Sequence, residues 1–216
     1  MGSLSIPGQT AGDARGPERG PRLLVVAGFL GSGKTTLVLE IARRLVAASR
    51  RVAIIENEIG DVGVDGAALA AEGLQVRELF GGCVCCTLQV GLVDALKELA
   101  RTYHPDYVIV EPTGIAQPSD LTTTVAQYAE WVEDVRVLTL IDAERHEMLV
   151  EVIGPMLDGQ VAAADVVAVT KVDTVDERRL AAVLAAVRAD DATRPVVEVS
   201  APVGLNVDEL FEAVTR

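Results

Sequence analysis

The sequence predicts an α/β fold in which a mainly parallel sheet is covered by helices on both faces, giving three layers. Two observations predict it: short, continuous aliphatic runs recur along the chain, and helical patterns lie between them. Hydrophobic residues make up 50% of the 216 residues and aromatic residues only 3%, which favours aliphatic strands under helices over an aromatic-rich barrel.

The predicted elements alternate along one domain. The aliphatic runs that predict buried strands cover 22–27, 52–55, 107–110, 135–141, 166–169 and 196–199, and the alternating run 74–79 predicts a further, more exposed strand. The helical patterns cover 37–48, 88–100, 176–189 and 207–214. Residues 1–21 are rich in Gly and Pro, so we expect a disordered N-terminal tail before a single domain over 22–216.

The charge balance argues against nucleic acid and membrane surfaces as partners. Asp and Glu number 32 against 19 Lys and Arg, a formal net charge of -13, and phosphate backbones and anionic lipids would repel such a chain. No apolar run is long enough to span a membrane, and residues 1–10 lack the basic start and long apolar core that are typical of a signal peptide, so we expect none here. The three cysteines lie within four positions, which indicates reduced thiols in a cytoplasm rather than a disulfide framework.

A phosphate-binding loop follows the first predicted strand. Residues 28–36 read GFLGSGKTT, which fits G-x-x-x-x-G-K-[ST] between a strand and a helix. The glycines allow backbone N–H groups to turn towards a phosphate, and the helix N-terminus adds a partial positive charge. We expect Lys34 to reach the β- and γ-phosphates and the Thr35 hydroxyl to bind Mg²⁺. The alternative is a plain glycine-rich turn.

The nucleotide base is predicted from the ends of two later strands. The motif TKVD follows the run 166–169, and Asp173 could accept two hydrogen bonds from guanine, a donor pair that adenine lacks. Lys171 would lie along the face of the ring, and a backbone amide at Ser200-Ala201 could read the guanine O6. The alternative is that Asp173 caps the helix that follows.

A loop that senses the γ-phosphate is predicted after the run 107–110. Glu111 could hold a Mg²⁺-bound water, and Gly114 would let a backbone N–H meet the γ-phosphate. The alternative is an ordinary Pro-Thr-Gly turn. Many GTPases place a glutamine next to orient water, but here Ile115 and Ala116 follow, so we expect slow intrinsic hydrolysis that needs a partner or a second subunit.

The cysteine cluster predicts a metal site. Thiolates suit Zn²⁺, Cu⁺ and similarly thiophilic ions, and Cys83, Cys85 and Cys86 together leave a tetrahedral ion one ligand short. The acidic loop 56–61 after the second strand offers the nearest further ligands. Buried cysteines acting as small hydrophobes, or a redox-sensing thiol pair, remain as alternatives.

In this order, the motifs GFLGSGKTT, ENEIGDVGVD, GGCVCC, EPTG and TKVD resemble those of CobW-family P-loop GTPases, a class that includes the nickel-insertion GTPases of urease and hydrogenase. The resemblance extends over 22–216. It implies a Rossmann-like P-loop GTPase domain that binds GTP and Mg²⁺, gates delivery of Zn²⁺, Co²⁺ or Ni²⁺ to a client metalloprotein, and forms nucleotide-dependent homodimers. Typical members carry a further C-terminal domain, which we expect to be lacking here, so a separate chain could supply client recognition.

The resemblance also implies roles for individual residues. Those on the phosphates and Mg²⁺ would be Gly31, Ser32, Gly33, Lys34, Thr35 and Thr36, and those in the sensing motif Glu111 and Gly114. Guanine would be bound by Thr170, Lys171 and Asp173 with Ser200 and Ala201, and the transported metal by Cys83, Cys85, Cys86, Glu56 and Asp61. Thr170 replaces the more common asparagine, and its hydroxyl can still tie the guanine loop to the phosphate loop. Two other functions stay open: a GTP-dependent regulatory or assembly switch with redox or structural cysteines, and a small-molecule phosphotransferase that prefers ATP.

Overall fold

The chain forms a parallel sheet with helices between its strands. The computed structural model describes residues 20–56, 74–78 and 87–216, with 74–78 and 87–90 as backbone. Its strands are β1 (Arg22–Gly28), β2 (Val52–Glu56), β3 (Leu74–Glu78), β4 (Tyr107–Glu111), β5 (Asp134–Asp142), β6 (Val166–Thr170) and β7 (Val196–Val199). The helices of the described residues are α1 (Lys34–Ala47), α2 (Thr87–Thr102), α3 (Pro118–Tyr128), α4 (His146–Ala162), α5 (Glu177–Arg188) and α6 (Val207–Thr215).

The strand order creates a crevice at the carboxyl end of β1. The order is β3-β2-β4-β1-β5-β6-β7, and every described strand pair is parallel. The connection from β1 runs to one side of the sheet, and the connection from β4 crosses to β5 on the other side. In open parallel sheets, ligands bind at such a switch point, outside the carboxyl ends of the strands.

Both faces of the sheet are buried, which is why the strands read as continuous aliphatic runs. In β1, Leu24 and Val26 belong to the core under α1 and α6, whereas Leu23 and Val25 belong to the core under α2, α3 and α5. Helix α4 packs on this second face, where the Thr139 hydroxyl of β5 donates to its main chain. The result is the predicted three-layer α/β fold.

The seven predicted strands are all present, and β3 lies at the edge of the sheet. Two helices were missed, α3 and α4. Helix α4 contains Pro155 and a non-helical Ile153, which interrupt the periodicity that identifies a helix in sequence. Helix α1 begins at Lys34 rather than 37, so the phosphate loop runs directly into its first turn. Pro21, placed in the predicted tail, is buried, and its carbonyl accepts from the Glu133 N–H.

Among the described residues, no helix is both long and apolar enough to cross a membrane.

Candidate functional site

The loop between β1 and α1 has the geometry of an anion cradle. Gly33, with φ 93°, occupies the N-cap position of α1, where no side chain caps the helix, so the first N–H groups are left for a ligand. Lys34 opens the helix and is only 4% exposed. Within the loop, the Ser32 N–H donates to the Phe29 carbonyl at 3.1 Å. This arrangement fits a phosphate group.

The two residues predicted to bind Mg²⁺ lie together. The Thr35 hydroxyl, in the first turn of α1, donates to Glu111 Oε1 at the end of β4 over 3.0 Å. Glu111 is buried, whereas Thr35 and Thr36 are exposed. Hydroxyl and carboxylate oxygens are the ligands that Mg²⁺ prefers, so this donor set fits the ion. When bound, the ion would supply charge neutralisation to the phosphates of a nucleotide.

Gly114 brings the loop after β4 against the phosphate loop. A Cβ at this position would lie 2.6 Å from the Leu30 nitrogen and 3.2 Å from the Phe29 carbonyl carbon, both backbone atoms. Only glycine therefore allows the two backbones this close approach. The neighbouring Ile115 is 59% exposed and lies outside the core.

The guanine motif is tied to the phosphate loop through Thr170. Its buried hydroxyl donates to the Ser32 carbonyl at 2.9 Å, as expected for a hydroxyl that replaces asparagine here. Asp173 lies in a short 3-10 turn over Val172–Thr174 and is exposed. The following helix is capped by Asp176, which accepts from the Arg179 N–H at 2.8 Å. Asp173 is therefore not the helix cap, and the alternative interpretation of this residue is wrong.

The segment after β7 is already engaged in internal hydrogen bonds. Ser200 is buried, and its N–H donates to the Leu205 carbonyl at 3.3 Å, while the Ala201 carbonyl accepts from the Gly204 N–H at 3.2 Å. Because the Ser200 amide bonds within the loop, a contact to guanine O6 from this segment would come from Ala201.

A buried carboxylate that the sequence analysis missed connects the two loops. Asp142, at the end of β5, accepts from Lys171 Nζ and Arg145 Nε, both at 2.7 Å, and its side chain is fully buried. Arg145 continues to the phosphate loop, where its guanidinium donates to the Leu30 carbonyl at 2.7 Å and lies over Gly31. Asp142 thus holds together Arg145, which contacts the phosphate loop, and Lys171 of the predicted guanine motif.

The electrostatics of Asp142 follow from these partners. Burial by itself would raise the pKa of its carboxyl, but the hydrogen bonds and charges of Lys171 and Arg145 outweigh that effect and lower the pKa below its usual value. The sequence carried one signal for this residue, since Asp142, like Glu111, is an acid directly after a predicted strand.

The predicted transported-metal ligands are only partly described. Glu56 ends β2 and is the register partner of Glu111 in β4 and of Glu78 in β3. Cys83, Cys85, Cys86 and Asp61 lie outside the described residues. Among the described residues, no group of three or more His, Cys, Asp or Glu side chains is arranged to hold a metal ion.

The fold and this site define a P-loop nucleotide-binding domain of the GTPase fold: a phosphate loop after β1, an acid and a glycine after β4, and a TKVD motif after β6. The family model for the CobW/HypB/UreG nucleotide-binding domain matches residues 22–198, and the chain belongs to that family.

Individual relatives agree with this assignment. Zinc chaperone YeiR of Escherichia coli is 33% identical over 154 residues, which cover 70% of this chain and 47% of the relative. The zinc-bound structure of the YjiA GTPase from E. coli superposes with a TM-score of 0.57 at 26% identity, over 77% of this chain and 54% of YjiA. Hydrogenase maturation factor HypB of Archaeoglobus fulgidus has the same fold, with a TM-score of 0.68 at 16% identity, over 90% of this chain and 89% of HypB. The chain spans about half the length of YeiR and YjiA.

Proposed function

We propose that this domain binds Mg²⁺ and GTP at the phosphate loop and hydrolyses GTP slowly. We further propose that the nucleotide state controls binding of a metal ion and its delivery to a client metalloprotein. Zinc is the first candidate, because relatives such as YeiR are named zinc chaperones. The clustered thiols favour a reducing compartment, and we infer a cytoplasmic location.

One observation carries the coupling between nucleotide and metal. Glu56, a predicted metal ligand, and Glu111, a predicted Mg²⁺ residue, are register partners on adjacent strands, with backbones about 4.8 Å apart. Glu111 in turn accepts from Thr35 of the phosphate loop. A change at the nucleotide could therefore reach the predicted metal site through Glu111 and its strand neighbour Glu56.

Nucleotide binding is tested first. Lys34→Ala should abolish GTP binding while leaving the fold intact, because Lys34 lies buried at the base of the anion cradle. Titration of fluorescent GTP and ATP analogues measures both affinity and base preference. Unchanged GTP affinity in Lys34→Ala would contradict the phosphate-loop assignment. A preference for ATP would favour the phosphotransferase function instead.

Coupling is tested by the Zn²⁺ affinity of the reduced protein, measured by chelator competition with Mg·GTP analogue and with Mg·GDP. Coupling is reciprocal, and we expect at least a tenfold difference, about 1.4 kcal/mol. The difference should be lost in Cys83→Ser and in Glu56→Gln. Glu209→Gln, an exposed carboxylate on α6, is the matched control and should retain it.

The other outcomes of this measurement separate the alternatives. Tight Zn²⁺ binding that ignores the nucleotide would make the metal structural. Absence of Zn²⁺ binding would favour a GTP-dependent switch whose cysteines have a redox role. Either result would refute the metal-delivery function while leaving the nucleotide site intact.

A protein partner is expected to cover the mouth of the nucleotide site. Leu30 of the phosphate loop is 56% exposed and Ile115 of the sensing loop 59%, and their loops touch through Gly114. Exposed aliphatic side chains at one site favour a protein contact. We propose that this partner is a second copy of the domain, and that the dimer forms with GTP and not with GDP. Sedimentation velocity with each nucleotide tests it, and a monomer in both states would refute it.

A further inference from the structure

Gln160, in the last turn of α4, holds the loop that follows β4. Its side chain is completely buried, and its Nε2 donates to the Gly114 carbonyl at 3.2 Å and to the Ala116 carbonyl at 2.9 Å. One amide group thus binds both carbonyls that flank Ile115. Because the C=O and N–H of a planar trans peptide point in opposite directions, the N–H of Ile115 faces away from α4.

The main chain of Gln160 and the residues beside it make further contacts, separate from those of its side-chain amide. The Thr139 hydroxyl, buried in β5, donates to the Gln160 main-chain carbonyl at 2.8 Å. One residue earlier, a Cβ at Gly159 would lie 2.9 Å from Gln117 Oε1, and Gln117 Nε2 donates to the Met156 carbonyl at 3.3 Å. The end of α4 and the start of α3 therefore lock together around the sensing loop.

Helix α4 contacts both phosphate-facing loops, one from each end. At its start, Arg145 donates to the Leu30 carbonyl of the phosphate loop, and in its last turn Gln160 holds the sensing loop. Between these contacts, Ile153 is non-helical and Pro155 interrupts the helix, so α4 consists of two segments. Each loop is thus tied to its own segment of the same helix.

We propose that Gln160 is a positioning residue for the γ-phosphate response. By binding the carbonyls of Gly114 and Ala116, it keeps Gly114 against the backbone of Leu30, which is the position from which a loop amide can meet a γ-phosphate. It acts through the loop and contacts no reacting atom. The inference rests on the proposed function, because it assumes that guanine nucleotides bind at the phosphate loop.

The test variant is Gln160→Met, which preserves the length of the side chain and removes both donors. We measure the affinities for Mg·GDP and for a Mg-bound non-hydrolysable GTP analogue, and the single-turnover rate of GTP hydrolysis. We expect GDP affinity to change less than twofold, and the preference for the GTP analogue and the hydrolysis rate each to fall about tenfold. A tenfold fall in this preference corresponds to about 1.4 kcal/mol in the difference between the two binding free energies.

Thr139→Val is the matched control. It removes a buried hydrogen bond to the same residue, at the main chain, and leaves the two loop contacts in place. It should lower stability without changing the ratio of GTP-analogue to GDP affinity. An equal change of that ratio in both variants would show that Gln160 acts through stability alone and would overturn the inference.

The remaining outcomes are also decisive. If Gln160→Met does not fold, Gln160→Asn keeps the amide but shortens its reach, and the same tenfold losses are expected. Wild-type binding of guanine nucleotides with an unchanged ratio in the variant would overturn this inference alone. Absence of guanine-nucleotide binding in the wild type would overturn the proposed function and this inference with it.

Discussion

Replacement of Asp142 by Asn tests whether the buried carboxylate holds the nucleotide site together. The Asp142 side chain is fully buried, and one of its oxygens accepts from both Lys171 and Arg145 at 2.7 Å. Its other oxygen accepts from the N–H groups of Glu144 and Arg145. Asn retains one acceptor oxygen, so it cannot satisfy both sets of donors.

The expected loss follows from these contacts. A hydrogen bond to a charged group is worth about 1.5–3 kcal/mol, and two such bonds are lost. The side chains of Lys171 and Arg145 are each 32% exposed, so water recovers part of this energy. We therefore expect the free energy of unfolding of Asp142→Asn to fall by about 2–3 kcal/mol at pH 7. Guanine-nucleotide affinity should fall as well, because Lys171 and the Leu30 carbonyl both lose their anchor.

Urea unfolding followed by circular dichroism measures the stability, with Asp208→Asn as the matched control. Asp208 makes the same kind of ion pair, with Arg44 at 3.1 Å, but its side chain is 93% exposed, so its loss should cost about 0–1 kcal/mol. Because the pKa of Asp142 is lowered in the fold, its contribution is present above the carboxyl's unfolded pKa and is lost as the pH falls below it. The free energies of unfolding of the wild type and of Asp142→Asn, plotted against pH, should therefore converge in acid. Equal costs for the two substitutions would refute the role of Asp142.

Three further predictions concern single residues: Gly114 of the sensing loop, Thr170 at the end of β6 and His146 at the start of α4. Gly114→Ala places a Cβ 2.6 Å from the Leu30 nitrogen, so the sensing loop must move. We expect the ratio of GTP-analogue to GDP affinity, measured by titration, to fall at least about tenfold, and a ratio equal to that of the wild type would contradict this. Thr170→Val removes the bond to the Ser32 carbonyl and should cost about 1–2 kcal/mol in urea unfolding, whereas Thr170→Ser should cost much less. Burial lowers the pKa of His146, partly offset by Asp158, so the fold favours the neutral imidazole; stability should decline as the pH falls below about 6.5, and His146→Phe should reduce that decline in thermal melts.

Local pattern was sufficient for the parts of the site that lie on contiguous segments. The phosphate loop could be predicted because Gly33, Lys34 and Thr35 are consecutive residues of one motif that follows a strand. The tie from Thr170 to that loop was also expected, but from the resemblance to the family's guanine motif, in which an asparagine more commonly takes this position. Helix α4 was not predicted, because Ile153 and Pro155 interrupt the hydrophobic periodicity by which a helix is identified in sequence.

The sequence by itself therefore determined the three-layer α/β fold, the phosphate loop and the acid and glycine after β4, because each depends on hydrophobic period or on neighbouring residues. The tertiary structure alone decided which distant groups meet. Arg145 reaches the Leu30 carbonyl across 115 positions, and Gln160 reaches the Gly114 carbonyl across 46. These contacts depend on β5 lying beside β1, and on α4 packing on one face of the sheet. The order of strands is set by the packing of the whole chain, which no short motif encodes.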